Sequence, residues 1–224
     1  MTTATKTMPL TEQYRPRTWT EVVGQDKAIR HVRTIGKRGF GGRAFWFSGA
    51  SGTGKTTLAR ILAAEVADCH NVQELDASDL TPSRLKELES GMACLGLDFE
   101  GKGRNGRAYI VNEAHGLRSD AIRQLLVLLE RLPGHVVWIF TTTSDGQADL
   151  FESKLDANPL LSRCVVVALT TQGLAKPFAE RAKQIAQAEG LNGKPLEAYV
   201  RLLQDCKNNL RSALQKVEMG VMLD

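Results

Sequence analysis

Five short apolar runs, rich in β-branched and aromatic residues, divide the first three quarters of the chain. They cover residues 44–47, 72–75, 108–111, 136–142 and 164–169. Short runs of this composition are typical of β-strands, and a run that is apolar at successive positions, as at 136–140, is typical of a strand buried on both faces. The pattern therefore predicts five strands of a largely buried sheet.

The stretches between these runs carry apolar residues at helical spacing. The first run is followed by Leu58, Ile61, Leu62 and Val66, and the third by Ile122, Leu125, Leu126 and Leu129. Strands that alternate with helices form βαβ units, and these units build a parallel sheet with helices on its faces. The predicted fold class is therefore α/β, with a five-stranded parallel sheet flanked by helices.

From about residue 170 the strand pattern stops and only helical spacing remains. One helical stretch covers 172–189 and ends at Gly190, a common residue at a helix C-terminus; two more cover 196–203 and 208–222. We therefore predict a disordered N-terminus over residues 1–9, an α/β domain over 10–169 and a small all-helical domain over 170–224.

Composition and charge narrow the class of protein. No apolar stretch approaches the roughly 20 residues of a membrane span, and the N-terminus lacks the apolar core of a secretory signal. The four cysteines, at 69, 94, 164 and 206, form no C-x-x-C pair, so we expect reduced thiols and no zinc. We expect a cytoplasmic protein, or one of the nucleus or nucleoid, that is not secreted.

The positive charge is concentrated near the start of the chain. The net charge is +4, and residues 1–60 contain 11 Lys and Arg against 3 Asp and Glu. Such asymmetry indicates a surface that meets an anion, although a solvated basic face without a partner is an alternative. Because this segment contains the motif described next, a nucleotide explains the excess better than DNA does.

Residues 49–56 read GASGTGKT and fit the P-loop pattern G-x-x-x-x-G-K-[ST]. The motif follows a predicted strand and precedes a predicted helix, where its backbone N–H groups turn toward phosphate oxygens. Lys55 should reach the β- and γ-phosphates, and the Thr56 hydroxyl should ligate Mg²⁺. The predicted phosphate contacts are Gly49, Ala50, Ser51, Gly52, Thr53, Gly54, Lys55, Thr56 and Thr57.

The third predicted strand ends in Asn112-Glu113, where nucleotide hydrolases of this class have Asp-Glu beside the P-loop. Glu113 suits a carboxylate that accepts the proton of the attacking water. Asn112 occupies the Asp position; its amide oxygen can hold a metal-bound water but adds no negative charge, so we expect a lower affinity for Mg²⁺. The alternative for Glu113 is a surface residue at a strand end.

With these motifs in place, the chain resembles the AAA+ ATPases, and most closely their clamp-loader group, the replication factor C small subunits and the bacterial gamma/tau subunits. The resemblance runs from about residue 10 to residue 214. Residues 10–19 (LTEQYRPRTW) and 21–25 (EVVGQ) are similar to the opening signature of the group, and residues 74–79 (ELDASD) to the stretch after its second strand. The opening signature implies adenine contacts from Tyr14, Arg15, Pro16, Val22 and Val23.

The resemblance also implies two catalytic elements near the end of the sheet. Residues 141–143 (TTT) stand at the place of sensor 1, a polar residue that senses the γ-phosphate; this is Thr142 or Thr143, and we favour Thr143. Residues 161–164 (LSRC) match the Ser-Arg-Cys motif, in which Arg163 is an arginine finger that acts in trans on the ATP site of a neighbouring subunit. A Thr-rich strand end and a surface arginine are the structural alternatives.

Residues 208–214 (NNLRSAL) are similar to the sensor 2 helix of the family, GDxRxxLN, which implies that Arg211 reaches the phosphates from the helical lid. Asn-Asn here replaces Gly-Asp, and an amphipathic helix with an exposed arginine is the alternative.

Bacterial gamma subunits also carry a four-cysteine zinc module after the P-loop; only Cys69 and Cys94 lie in that region, so the module is absent. The family also has a C-terminal collar domain for which no residues remain, so we expect a fragment or a minimal relative.

The resemblance implies a subunit that binds ATP or ADP with Mg²⁺, hydrolyses ATP, and loads a sliding clamp onto primer-template DNA within a ring of clamp-loader subunits. One alternative is a nucleotide-binding subunit that hydrolyses poorly because of Asn112. Another is an AAA+ ATPase of a different DNA recombination or repair branch, against which the Ser-Arg-Cys motif argues. Contacts to the DNA backbone would come from basic residues that solvated helix faces explain equally well: Arg84, Lys86, Arg118 and Arg123.

Overall fold

A computed structural model describes residues 8–153 and 157–223, which contain one five-stranded sheet. The strands are β1 (Arg43–Ser48), β2 (Val72–Asp76), β3 (Arg107–Asn112), β4 (Val136–Thr142) and β5 (Cys164–Ala168). They lie in the order β2-β3-β4-β1-β5, and every neighbouring pair is parallel. The predicted fold class is therefore confirmed, and the predicted strands agree with the observed ones to within one residue at each end.

Ten α-helices are seen in the described part of the chain. They are α1 (Leu10–Gln13), α2 (Asp26–Gly36), α3 (Lys55–Val66), α4 (Pro82–Met92), α5 (Ser119–Leu129), α6 (Ser144–Ser153), α7 (Ala157–Ser162), α8 (Ala175–Ala188), α9 (Leu196–Asp205) and α10 (Leu210–Glu218). Short 3₁₀ turns at Trp19–Glu21, Cys69–Asn71, Ala77–Asp79 and Ala114–Gly116 connect some of them. Within these residues no helix is both long and apolar enough to cross a membrane.

A row of aromatic side chains crosses one face of the sheet. The rings of Tyr109 and Trp138 stack with centroids 4.9 Å apart, and Phe140 lies 5.9 Å from Trp138 and 5.5 Å from Trp46. These four side chains are buried with the apolar faces of α4 and α5 in one core. Every residue of β4 is buried, as the unbroken apolar run predicts for a central strand.

Local sequence explains where the helices of this region begin. The Thr81 hydroxyl accepts a hydrogen bond of 3.2 Å from the backbone N–H of Arg84, and Pro82 occupies the first turn of α4, where its missing N–H is not needed. Helix α3 lies against β1, β3 and β4, and its Leu58 and Leu62 are fully buried. It begins at Lys55, within the P-loop motif.

The described residues form two compact units. One contains residues 26–50 and 54–169 and includes the whole sheet; the other contains the N-terminal segment up to Gln25, residues 51–53 and the chain from Thr170 onward. The predicted domains differ from these units because they place the N-terminal segment with the sheet. The division into domains at residues 169 and 170 stays a prediction. The disorder predicted for residues 1–9 falls mostly on residues 1–7, which lie outside the described residues.

The helical unit has its own apolar core, formed mainly by α8, α9 and α10. Phe178, Ile185, Tyr199 and Leu214 are buried there, and Leu10 of the N-terminal segment joins them. The backbone N–H of Leu10 also donates a hydrogen bond of 3.4 Å to the Glu218 carboxylate. The N-terminal segment is therefore part of the folded helical unit.

The predicted helix over 208–222 is shorter in the structure and begins at Leu210. Lys207 and Asn208 have φ angles of 53° and 57°, in the left-handed region, so they cannot belong to a right-handed helix. Asn209 then caps α10, because its Oδ1 accepts a hydrogen bond of 3.2 Å from the backbone N–H of Ser212.

Candidate nucleotide site

Chemistry-bearing residues meet at the carboxyl edge of the sheet. β1 ends at Ser48 and leads into the P-loop, β3 ends at Asn112, and β4 ends at Thr142. In an open parallel sheet, ligands bind in the crevice outside this edge. β4 lies between β1 and β3, so the strand that ends in Asn112 is not the direct neighbour of the strand that enters the P-loop.

The P-loop lysine is held by the carbonyls of its own loop. Lys55 Nζ donates hydrogen bonds of 2.8 Å to the Gly49 carbonyl and 2.9 Å to the Ala50 carbonyl, and the residue is only 8% exposed. Gly54, with φ 101°, gives the backbone the left-handed conformation that leads into α3. The buried Lys55 ammonium group and the backbone N–H groups at the start of α3 therefore lie close together. Both attract an anion.

The structure brings together the two residues predicted to hold Mg²⁺, Thr56 directly and Asn112 through a metal-bound water. Thr56 Oγ1 lies 3.4 Å from Asn112 Oδ1, and both are oxygens of the kind that Mg²⁺ binds. Mg²⁺ usually keeps several waters and takes few protein ligands, so two such oxygens fit an Mg²⁺–nucleotide site. The ligand roles of both residues stay predictions.

Two further side chains, which the sequence did not single out, complete the surroundings of Asn112. Thr141 Oγ1 donates a hydrogen bond of 2.9 Å to Asn112 Oδ1, and Asn112 Nδ2 donates one of 2.7 Å to Glu74 Oε1. Glu74 in turn accepts two hydrogen bonds from Arg60, 2.8 Å from Nε to Oε2 and 3.2 Å from Nη2 to Oε1. In the sequence, Glu74 belongs to the ELDASD stretch and Thr141 to the TTT stretch that resemble the family, but neither residue was given a role of its own.

Glu113, the predicted general base, has an uncommon backbone conformation. Its φ and ψ are 50° and 47°, in the left-handed region, where residues other than glycine are infrequent and often functional. The side chain is exposed, and its Oε2 lies 3.5 Å from His115 Nδ1. His115 Nδ1 also lies 3.3 Å from Thr142 Oγ1. Glu113 therefore stands at the start of a short polar chain that leads back to β4.

The three threonines at the end of β4 have different environments. Thr141 bonds to Asn112, whereas the fully buried Thr142 faces His115. The hydroxyl of Thr143 accepts a hydrogen bond of 3.1 Å from the backbone N–H of Gly146 and so caps the start of α6. The hydroxyls of Thr142 and Thr143, the predicted sensor 1 candidates, thus do not contact Asn112, and the assignment of sensor 1 stays a prediction.

Arg163, the predicted arginine finger, lies between α7 and β5. It forms an ion pair with Glu130, in which Nε lies 3.1 Å from Oε1, and its Nη1 donates a hydrogen bond of 3.0 Å to the Pro159 carbonyl. Both partners are partly exposed to solvent. Its role in trans concerns a neighbouring subunit and stays a prediction.

Arg211, the predicted sensor 2 residue, is exposed in the first turn of α10. The two asparagines before it account for the departure from the Gly-Asp of the family. Asn208 adopts the left-handed conformation that glycine prefers and that asparagine tolerates, and Asn209 supplies the capping oxygen that aspartate would supply. Gly52, with φ 76°, packs so closely against Asn209 that a Cβ at position 52 would overlap its side chain.

The predicted adenine-binding segment lies in the helical unit. The Tyr14 hydroxyl donates a hydrogen bond of 2.6 Å to Glu189 Oε1, which raises the pKa of Tyr14, and Arg15 pairs with Glu12. Val23 packs against the helical core, and Pro16 and Val22 are half-buried. These contacts fix the fold of the segment; its contacts with adenine stay predictions.

Gln25 is a buried residue that the sequence did not single out as functional. Its Nε2 donates hydrogen bonds of 3.3 Å to the Thr53 carbonyl and 3.0 Å to the Thr170 carbonyl. Its Oε1 accepts one of 3.2 Å from the backbone N–H of Thr170. A single amide side chain therefore joins the P-loop to the start of the helical segment within the helical unit.

The four residues predicted to contact DNA lie on or beside α4 and α5, which pack against each other. Arg84 and Lys86 belong to α4, Arg123 belongs to α5, and Arg118 directly precedes α5. Arg84 pairs with Glu87 at 2.8 Å, and Arg118 pairs with Asp120 at 3.1 Å. The structure brings these basic residues onto adjoining helices, and contact with DNA stays a prediction.

Asp68, Cys69 and His70 form the one group of potential metal ligands found among the described residues. Cys69 Sγ lies 3.5 Å from Asp68 Oδ1 and 3.4 Å from His70 Nδ1. The backbone N–H of His70 donates to Asp68 Oδ1 at 3.0 Å and is the main cause that lowers the pKa of Asp68 to about 2. All four cysteines are free thiols, and the predicted absence of zinc stays a prediction.

The chain is similar over most of its length to subunits of DNA polymerase III and replication factor C. The chain is 27% identical to DNA polymerase III subunit tau of Escherichia coli, an alignment that covers 95% of this chain and 34% of that protein. It is 25% identical to DNA polymerase III subunit gamma/tau of Mycoplasma genitalium, covering 92% and 36%. It is also 27% identical to replication factor C small subunit 1 of Pyrobaculum arsenaticum, covering 93% and 60%. The chain thus spans about a third of the length of the two polymerase subunits, and these relatives confirm the resemblance to clamp-loader AAA+ ATPases.

Among solved structures, the RuvB Holliday junction branch migration motor of Thermotoga maritima matches with a TM-score of 0.67 and 20% identity, over 92% of this chain and 64% of that one. At this identity the match shows a shared fold. The family described as "ATPase family associated with various cellular activities (AAA)" matches residues 45–172, which include the P-loop, Asn112-Glu113 and Arg163. Because this match spans more than half of the sequence, the chain belongs to the AAA family of ATPases.

Proposed function

We propose that this chain binds ATP or ADP with Mg²⁺ through the P-loop and acts as an ATPase subunit of clamp-loader type. The observation that carries the proposal is the grouping of Lys55, Thr56 and Asn112 at the carboxyl edge of the sheet. A buried ammonium group and two oxygens that suit Mg²⁺ are the groups that a nucleoside triphosphate with its metal requires.

Each of these residues, together with Glu113 and Arg163, has a proposed role. Lys55 exchanges its two carbonyl acceptors for phosphate oxygens, which bind it more strongly because they carry charge. Thr56 would hold Mg²⁺ directly and Asn112 would hold it through a bound water, and the ion would neutralise phosphate charge. Glu113 accepts the proton of the attacking water, and Arg163 stabilises the phosphate charge at a neighbouring subunit.

A second candidate is a subunit that binds nucleotide but hydrolyses it poorly. The observation that favours it is the neutral amide at position 112, whose Nδ2 donates a hydrogen bond to Glu74. A neutral amide brings no negative charge to the metal site. Without that negative charge the metal is held less tightly, and the transition state for phosphoryl transfer is less well stabilised. Such a subunit would still donate Arg163 to an active neighbour.

The proposed cellular role is DNA replication, as part of a ring of subunits that places a sliding clamp on primer-template DNA. The support is similarity to DNA polymerase III and replication factor C subunits over more than nine tenths of this chain. The basic residues of α4 and α5 would contact the DNA backbone. An AAA+ ATPase of a recombination or repair branch is the remaining alternative, and the fold shared with RuvB does not favour it.

The test is ATP binding and steady-state ATP turnover, measured for the chain alone and with primed DNA and a candidate clamp. Turnover that rises with primed DNA and clamp supports the active clamp-loader subunit. Tight ATP binding without turnover, with turnover gained in Asn112→Asp, supports the poorly hydrolysing subunit. Activation by branched DNA but not by primed DNA and clamp contradicts the clamp-loader role, and failure to bind nucleotide contradicts both candidates.

A further inference from the structure

The side-chain amide of Asn112 has a defined orientation. Its Oδ1 faces the Thr56 and Thr141 hydroxyls at 3.4 and 2.9 Å, and its Nδ2 faces Glu74 at 2.7 Å. We infer that Glu74 is a positioning residue that keeps the amide oxygen, and not the amide nitrogen, directed toward Thr56 and the metal site. This inference rests on the proposed function, because it concerns the metal site of that function.

The hydrogen-bonding capacities of the neighbours show why Glu74 decides the orientation. A threonine hydroxyl can either donate or accept, so Thr56 and Thr141 can satisfy either end of the amide. The ionised Glu74 carboxylate can only accept, so it selects Nδ2. Hydrogen bonds to a charged acceptor are also the stronger ones, so the contact with Glu74 sets the orientation of the amide.

Arg60 is the second partner of the Glu74 carboxylate. Its guanidinium binds both oxygens of Glu74, at 2.8 and 3.2 Å. Glu74 Oε1 is therefore shared between Arg60 and the Asn112 amide, so these two donors lie close together. If Glu74 were removed, the Arg60 donors would attract Asn112 Oδ1 and turn the nitrogen toward Thr56.

The orienting role of Glu74 matters only while the side chain of residue 112 ends in two different groups, an oxygen and a nitrogen. The oxygens of an aspartate are equivalent, so Asn112→Asp removes the need for orientation and brings a second carboxylate next to Glu74. Loss of Glu74 should therefore have different consequences in the two backgrounds. It should weaken Mg²⁺–nucleotide binding when residue 112 is Asn, and it should leave that binding unchanged or improve it in the Asn112→Asp background, where carboxylate repulsion is relieved.

The test is a double-mutant cycle of Glu74→Ala and Asn112→Asp, with ATP affinity measured in the presence of Mg²⁺ and in EDTA. Glu74→Ala alone should lower the Mg²⁺-dependent affinity about tenfold, as expected for a lost hydrogen bond to a charged group, and should change the affinity in EDTA by less than about twofold. On the Asn112→Asp background the same substitution should lower neither. Arg60→Ala is the matched control, because it breaks the same ion pair but leaves the acceptor of Asn112 in place; it should cost less than about twofold.

The outcomes separate this inference from the proposed function. If Glu74→Ala lowers the Mg²⁺-dependent affinity equally in both backgrounds, or no more than Arg60→Ala does, Glu74 does not orient Asn112, although the proposed function stands. If the wild-type chain binds no nucleotide, the proposed function itself fails. Should Glu74→Ala not fold, as judged by circular dichroism, Glu74→Gln replaces it; its amide oxygen keeps an acceptor of lower charge, and an intermediate loss confined to the Asn112 background is expected.

Discussion

Thr141 Oγ1 and Asn112 Oδ1 share a hydrogen bond of 2.9 Å that joins the ends of β4 and β3. Thr141 is buried, so its hydroxyl has no ready replacement from solvent. Thr141→Val, which keeps the shape of the side chain, should lower the free energy of unfolding by about 1 kcal/mol. Urea denaturation checks this value. The Thr141→Val substitution should also weaken Mg²⁺-dependent ATP binding. An unchanged ATP affinity would show that Thr141 has a structural role only.

Lys55 should be essential for nucleotide binding. Lys55→Ala removes the ammonium group that would bind the phosphates through two or more charge-assisted hydrogen bonds, so ATP affinity should fall about 100-fold. Titration with a fluorescent ATP analogue checks this. Lys37→Ala is the matched control, because Lys37 is an exposed lysine of the same basic segment. If both variants bind equally weakly, general positive charge and not the P-loop explains the binding.

Asn208 should tolerate glycine better than alanine. Its φ of 57° costs an alanine roughly 1–2 kcal/mol but costs a glycine almost nothing. Both substitutions lose the hydrogen bond of 3.1 Å from Nδ2 to the Thr171 carbonyl, so the difference between them isolates the backbone term. Thermal unfolding of Asn208→Gly and Asn208→Ala measures that difference. Equal stability of the two variants would contradict the left-handed conformation.

Asp68 should contribute to stability at neutral pH and lose that contribution in acid. Its pKa in the folded chain is lowered to about 2, so the ionised form is favoured by folding. A lowered pKa adds stability that is complete above the ordinary carboxyl pKa of about 4 and that disappears as the pH falls toward 2. The difference in unfolding free energy between wild type and Asp68→Asn should therefore shrink between pH 4 and pH 2. A constant difference over this range would show that the Asp68 charge is not the cause.

Arg163 should affect ATP turnover at a neighbouring subunit more than the stability or ATP affinity of its own chain. Its ion pair with Glu130 is exposed, so Arg163→Ala should change the free energy of unfolding by at most about 1 kcal/mol. ATP affinity of the isolated chain should be unchanged, while ATP turnover of an assembled ring should fall. Mixing this variant with subunits of intact Arg163 checks the role in trans, since one defective finger should inactivate only the site that it enters. Equal turnover of variant and wild-type assemblies would exclude that role.

Much of the α/β fold could be predicted because its information is local. A central strand is apolar at successive positions, as in β4, and the P-loop is encoded by eight consecutive residues that set both its backbone and its lysine. Two of the helices that were not predicted, α1 and α6, lack such a signal. α1 has four residues, and α6 has the mixed sequence SDGQADLFES, which includes a glycine.

The surroundings of Asn112 could not be predicted because they depend on the order of the strands. Glu74 and Thr141 are 38 and 29 residues away along the chain, and they meet Asn112 only because β2 and β4 lie on either side of β3. The sequence also does not show which of the three consecutive threonines at 141–143 meets Asn112. Neighbouring side chains on a strand point to opposite faces, but the sequence does not say which face meets Asn112.

The helical unit is assembled from segments at both ends of the described chain, and this has a consequence for synthesis on the ribosome. Leu10 packs with residues of α10, and its backbone bonds to Glu218, 208 residues later. At about 5–20 residues per second the N-terminal segment must wait roughly 10–40 s after it is made before its partners exist. The sheet-containing unit, complete at Leu169, can fold during that interval. The order of translation therefore favours a folding sequence in which the sheet-containing unit forms first and α1 packs against the helical unit last.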